Sequence, residues 1–149
     1  MCIRDRVRSG KVVRGMSCHY PRPESVLYKI PGGAVRIARV SSAAALGGVV
    51  WAVGGLGLLD RYDPAAEGFT GAYSDVLRKT NHTALGYKGG MLYGVYCRSM
   101  TAQQVNALCR DKLKLEYAVM LDGGHVAAIH AAVSRINTNQ RQYYAVRFL

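Results

Sequence analysis

The sequence is short of acidic residues, and this shortage sets its charge. Its 149 residues include nine Asp and Glu against 20 Lys and Arg, which gives a net charge of +11. Residues 1–39 hold nine of the basic residues and only two of the acidic ones. A basic arm can bind nucleic acid or an anionic membrane through counterion release. No aromatic residue is interleaved with these charges before Tyr20, so the sequence favours a solvated terminus and we do not expect a nucleic acid partner.

The sequence also lacks paired cysteines. Its four cysteines form no C-x-x-C pair and no zinc-ligand spacing, so we assign no metal site and no cofactor. Four cysteines are too few for a disulfide framework in a chain of this length, and free buried thiols are the expectation at Cys97 and Cys109.

One long uncharged run, Val40–Leu59, is long enough to cross a membrane as a helix. Its two glycine pairs, Gly47-Gly48 and Gly54-Gly55, weaken a helix by roughly 1 kcal/mol per glycine. We therefore predict a short helical turn over Ser42–Leu46 and a buried strand over Val49–Val53, without a membrane span.

The N-terminal segment carries no hydrophobic periodicity. Residues 1–24 are predicted to be a loose basic segment, and residues 25–149 a single domain. Met1–Arg6 resembles translated sequencing-adapter read-through, which suggests that the native N-terminus, with any targeting signal, is missing.

Half of the residues are hydrophobic, which excludes wholesale disorder. Thr101 and Gln104 form a capping box, and the apolar spacing after it predicts a helix over about 101–115. The predicted class is α+β, with a mixed β-sheet and this one principal helix. The predicted strands are Ser25–Ile30, Ala34–Val40, Val49–Val53, His82–Gly86, Met91–Cys97, Tyr117–Leu121, Val126–Ala132 and Tyr143–Phe148, with a long loop over Asp60–Thr80.

The segment Asp122-Gly123-Gly124-His125 carries the clearest chemical signal. It places a carboxylate directly after a buried strand and before two glycines, where backbone amides can approach a ligand closely. His125 adds a second titratable group. An Asp-Gly pair also makes ordinary hairpin turns, so a structural turn is the alternative at this point.

Several segments in order resemble the phosphodiester glycosidase family over about Ser25–Leu149. That family has an apolar strand ending in Gly-Gly, an (Arg/His)-Thr-Ala-x-Gly strand, a helix start, a Leu-Asp-Gly-Gly turn and an Asn-containing segment before its last strand. The matching segments here are Val49–Gly55, Thr80–Gly86, the helix from Thr101, Ala118–Gly124 and Arg135–Thr138.

The resemblance implies hydrolysis of a sugar-1-phosphodiester in cell-envelope or exopolysaccharide metabolism, outside the cytoplasm. The carbohydrate or sugar phosphate would be the partner. It implies a catalytic set of Asp122, His125 and His82, with a second carboxylate at either Glu67 or Asp75. The substrate-binding set would be Gly123, Gly124, Thr83, Arg78 and Asn137.

The chain departs from the family pattern at two places. His82 stands where many members have Arg, and His125-Val126 replaces the usual Gly-Ser. The family domain is also usually longer at its N-terminus, so the chain can be a fragment. The first alternative is a carbohydrate- or cell-wall-binding domain without catalysis. The second alternative is a small membrane-anchored protein.

Overall fold

The computed structural model describes residues 6–8, 11–14, 23–124, 127, 129–130 and 135–136. Its strands, numbered along the chain, are β1 (Arg6–Arg8), β2 (Lys11–Arg14), β3 (Glu24–Lys29), β4 (Val35–Val40), β5 (Trp51–Gly57), β6 (Thr80–Lys88), β7 (Met91–Met100), β8 (Tyr117–Gly123), β9 (Ile129–His130) and β10 (Arg135–Ile136).

The first eight strands form one sheet. Its main path runs β2-β1-β5-β8-β6-β7, and β3 joins β5 while β4 joins β3. The sequence predicts a mixed sheet, but every pairing among the described strands is antiparallel. Tight turns connect β3 to β4 and β6 to β7, and such turns join antiparallel neighbours. A helical crossover leads from β7 to β8, which lie on either side of β6.

The principal helix begins at the predicted place. Thr101 accepts a hydrogen bond from the Gln104 amide, and the Gln104 side chain accepts one from the Thr101 amide, so the capping box is present. The helix α1 (Ala102–Ala107) continues as one π-helical turn over Leu108–Lys112. The α+β class and the single domain are therefore confirmed.

Strands β6 and β8 separate two cores because their successive side chains leave opposite faces. The helix-side core lies beneath α1, and the strand-side core lies against β3 and β4. The helix-side core contains Leu56, Leu58, Phe69, Ala84, Cys97, Ala102, Val105, Cys109, Leu115, Ala118 and Met120. The strand-side core contains Leu27, Val35, Val53, Leu85, Val119 and Leu121.

Cys97 and Cys109 are free and buried, as predicted. Burial raises the pKa of the Cys97 thiol, and burial together with the nearby ionisable Cys97 raises the pKa of the Cys109 thiol to about 12. Both are therefore neutral apolar groups at physiological pH. Cys2 and Cys18 lie outside the described residues.

The run Val40–Leu59 forms a 3₁₀ turn over Ala43–Leu46 and then β5, which continues through Gly54-Gly55 to Gly57. The predicted strand end at Val53 is therefore wrong. In the part of the chain that the structure describes, every helix is too short or too polar to cross a membrane.

Two other predictions differ from the structure. Residues 6–8 and 11–14, predicted to be loop, form β1 and β2, and β1 pairs with β5. These three- and four-residue strands are too short for an alternating pattern to reveal them. Within the predicted strand Val126–Ala132, the structure describes only β9 as strand. The predicted strand Tyr143–Phe148 lies outside the described residues.

Candidate functional site

A cleft opens where β8 ends, beside the start of β6. Its cavity volume is about 80 Å³. A water molecule needs roughly 10–15 Å³ on this measure, so the cleft encloses several waters or one phosphate-sized group, and a larger ligand would extend into solvent. The lining residues are Asp75, Val76, Arg78, Thr80, His82, Met120, Leu121, Gly123 and Gly124.

One wall of the cleft comes from the β5–β6 loop, residues 58–79. Glu67 fastens this loop to the sheet with a carboxylate that is fully buried. Its two oxygens accept hydrogen bonds from the amide and hydroxyl of Ser25 and from the amide of Gly57, at 3.0–3.2 Å. Arg39 completes the cluster with an ion pair of 2.8 Å to Glu67.

The two candidate carboxylates of the loop, Glu67 and Asp75, therefore have different surroundings. Glu67 is occupied by its structural partners and does not line the cleft, so the expectation that it serves as a second catalytic carboxylate finds no support in its position. Asp75 lines the cleft and is exposed. The sequence could not rank the two, because the partners of Glu67 are up to 42 residues away along the chain.

Arg78 follows a 3₁₀ helix over Gly71–Leu77 and caps it. Its amide donates to the carbonyl oxygen of Asp75 at 3.2 Å, which fixes the spacing of these two residues along the loop. The Arg78 residue is exposed and lines the cleft. It can therefore present its guanidinium to an anion that enters from solvent.

His82 forms a buried part of the cleft wall, since only 1% of its surface is exposed. Its Nε2 lies 3.2 Å from the carbonyl oxygen of Arg78. Burial lowers the pKa of His82, although hydrogen bonds to the Arg78 and Met100 backbones oppose the shift. The ring is therefore neutral at physiological pH, and it ties the loop to β6 without supplying a positive charge.

The lowered pKa of His82 predicts a loss of stability in acid. The unfolded chain takes up a proton near pH 6.5, and the folded chain does so only at a lower pH, so protonation favours the unfolded chain as the pH falls below about 6.5. We expect the free energy of unfolding, measured by urea titration between about pH 7.5 and pH 5, to fall less steeply in His82→Gln than in the parent. Equal slopes in the two proteins would contradict the burial of a neutral His82.

Gly123 and Gly124 form the floor of the cleft for different reasons. Gly123 is the last residue of β8 and pairs with His82, and a Cβ there would lie 2.8 Å from the Asn81 carbonyl oxygen and 3.0 Å from His82 Nδ1. Gly124 has a φ of +68°, which favours glycine. The sequence predicts that the strand ends before Asp122, but it runs through Asp122 and Gly123.

The structure thus brings together five of the candidate site residues: Asp75, Arg78, His82, Gly123 and Gly124. Thr83 does not line the cleft, because it follows His82 in β6 and its side chain leaves the opposite face of the strand. The backbone of Asp122 lies in β8, and its side chain is outside the described part of the structure. His125 and Asn137 lie outside the described residues.

Sequence reasoning missed four residues of the cleft: Val76, Thr80, Met120 and Leu121. Val76 lies between Asp75 and Arg78 in the loop, Thr80 opens β6, and the last two lie in β8, so proximity in sequence to the predicted residues was the only available signal. Among the described residues, no three His, Cys, Asp or Glu side chains gather as a metal-ligand set. No protein-family model and no curated protein matches the sequence.

Proposed function

We propose that the chain is a glycosidase that hydrolyses sugar-1-phosphodiesters at the cleft beside Gly123 and Gly124. The observation that carries the proposal is the convergence of Arg78, His82 and the two glycines on one cleft at the end of β8. This is the position where the sequence resemblance expects a phosphate-linked sugar.

Recognition of the phosphate is assigned to Arg78. A phosphodiester is a stable anion, and its departure from the sugar needs positive charge or hydrogen-bond donors on its oxygens. The exposed Arg78 guanidinium has planar donors suited to two phosphate oxygens. His82 acts as a positioning residue in this proposal, because its Nε2 contacts the Arg78 carbonyl oxygen and its ring is neutral.

Gly124 gives a ligand access to the protein backbone. A Cβ at Gly124 would meet one atom within 4 Å, the Thr80 hydroxyl oxygen at 3.9 Å. Because Gly124 has no side chain, a phosphate or sugar oxygen can approach the main chain at this position, whereas β6 occupies the space beside Gly123.

The bond that breaks joins the anomeric carbon to the phosphate oxygen. Water supplies the hydroxyl group to the sugar, the phosphate leaves as a monoester, and one proton is released at neutral pH. Asp122, directly before Gly123 in β8, is assigned to activate this water or to stabilise positive charge on the sugar ring. Asp75 is the loop carboxylate at the cleft, and His125 and Asn137 remain predictions.

The test is a panel of small substrates in which every sugar-containing compound has the same sugar. It compares the methyl diester of the sugar 1-phosphate with three controls: the sugar 1-phosphate itself, the methyl glycoside and dimethyl phosphate, which has no sugar. We expect hydrolysis of the diester alone. In heavy-oxygen water, we expect the label in the free sugar and not in the phosphate.

The outcomes separate three classes of protein. Label in the phosphate would indicate a phosphodiesterase and contradict the proposal. Saturable binding of the diester without turnover would favour the carbohydrate-binding alternative. Cleavage of the methyl glycoside at the same rate as the diester would show that the phosphate is not recognised.

A further inference from the structure

The described side chains of the cleft carry one positive and one negative charge. Arg78 and Asp75 are both exposed residues that line it, and burial keeps His82 neutral. Among the interactions of the described residues, the structure pairs neither charged group with a side chain, and the ion pairs it contains lie elsewhere, at Arg39–Glu67 and Arg110–Asp111. Each charge is therefore available to a ligand.

The two charges act on a phosphate in opposite directions. Each negative charge of a ligand is attracted by Arg78 and repelled by Asp75, so a second charge on the ligand brings little net gain. A cleft with Arg78 alone would bind a doubly charged phosphate more tightly than a singly charged one.

We propose that Asp75 is a specificity-determining residue that offsets Arg78 and keeps a doubly charged phosphomonoester from binding more tightly than a singly charged phosphodiester. This inference rests on the proposed function. In that reaction the substrate phosphate carries one negative charge. The monoester product carries a second negative charge above its pKa of about 6, so the same carboxylate favours release of the product.

The test uses two small probes that need no turnover. Dimethyl phosphate carries one charge, and methyl phosphate carries two at about pH 8. Their dissociation constants are measured by NMR titration of the parent and of Asp75→Asn, following the amides of Arg78, Gly123 and Gly124. We expect dimethyl phosphate to bind the parent at least as tightly as methyl phosphate.

In Asp75→Asn both probes gain affinity, and methyl phosphate gains more because it carries the additional charge. One unit charge at about 4 Å in a water-like medium changes binding about five-fold, so the ratio of the two affinities shifts about five-fold toward methyl phosphate. This shift disappears in about 0.5 M salt, which screens exposed charges. A structural role of Asp75 would not produce a salt-dependent ratio.

Asp60→Asn is the matched control, because Asp60 is an exposed carboxylate of the same loop that does not line the cleft. It is expected to leave the ratio unchanged. If Asp75→Asn leaves the ratio of the two probe affinities unchanged, or if Asp60→Asn shifts it equally, the specificity role of Asp75 is overturned. The proposed function would not be affected by either result. Absence of binding by both probes at the followed amides in the parent overturns the proposed function as well.

Discussion

Replacement of Gly55 by alanine is expected to destabilise the protein by about 3 kcal/mol or more. Gly55 lies in β5, opposite Ser25 of β3, and a Cβ at this position would overlap the carbonyl oxygen of Met120 in β8. The obstacle is backbone, so a change of side-chain rotamer cannot relieve it. Strands β5 and β8 would have to separate where Leu56 pairs with Met120, beside both cores.

The measurement is urea and thermal unfolding of the purified variant. A loss of about 3 kcal/mol corresponds to a fall in melting temperature of about 10 °C for a chain of this size. Gly48→Ala is the matched control, because a Cβ at Gly48 has no neighbour within 4 Å and its backbone is outside the left-handed region. We expect this control to stay within about 0.5 kcal/mol of the parent. A Gly55→Ala protein as stable as the control would contradict the close approach of β5 and β8.

Replacement of Glu67 by alanine is expected to lower the free energy of unfolding by about 3–5 kcal/mol, because it leaves buried donors without their acceptor. The carboxylate accepts from the Ser25 and Gly57 amides, at 3.1 and 3.2 Å, and from Arg39 at 2.8 Å. Its loss uncouples the β5–β6 loop from β3 and β5. Since the same loop carries Asp75 and Arg78, we also expect weaker binding of phosphate probes at the cleft.

A double-mutant cycle with Arg39 separates the ion pair from the amide bonds. Arg39 is partly exposed and also donates to the carbonyl oxygen of Arg61, so Arg39→Ala is expected to cost less than Glu67→Ala. The double variant is expected to be less destabilised than the sum of the single variants, since the two side chains contact each other. If the losses of unfolding free energy in the two single variants add up to the loss in the double variant, the ion pair contributes no coupling energy.

The glycines show why the sequence predicted elements better than their ends. Gly54-Gly55 and Gly123-Gly124 were natural places to end a strand, because glycine is common in turns. Only Gly124 has the positive φ of a turn, whereas Gly55 and Gly123 lie inside strands where another backbone comes too close for a Cβ. Such contacts depend on which strands become neighbours, and a local pattern does not contain that information.

The candidate site could be predicted in part for a similar reason. Gly123 and Gly124 are adjacent in sequence, and His82 pairs with Gly123 across two strands that the pattern had identified. The different surroundings of Glu67 and Asp75 could not be predicted, because they depend on contacts of the loop with distant strands. The capping box at Thr101 needs only four consecutive residues, and it was predicted correctly.

The most direct test of the central claim compares the parent chain with Asp122→Asn on the methyl diester of a sugar 1-phosphate. The proposal predicts that the parent releases free sugar and that the variant still binds the diester but releases none above background, because the amide cannot activate water or stabilise charge on the ring. The variant must also keep the parent's unfolding midpoint, which excludes a loss of folding. Release of sugar at the parent's rate by Asp122→Asn, or no release by the parent on any diester of the panel, would contradict the claim.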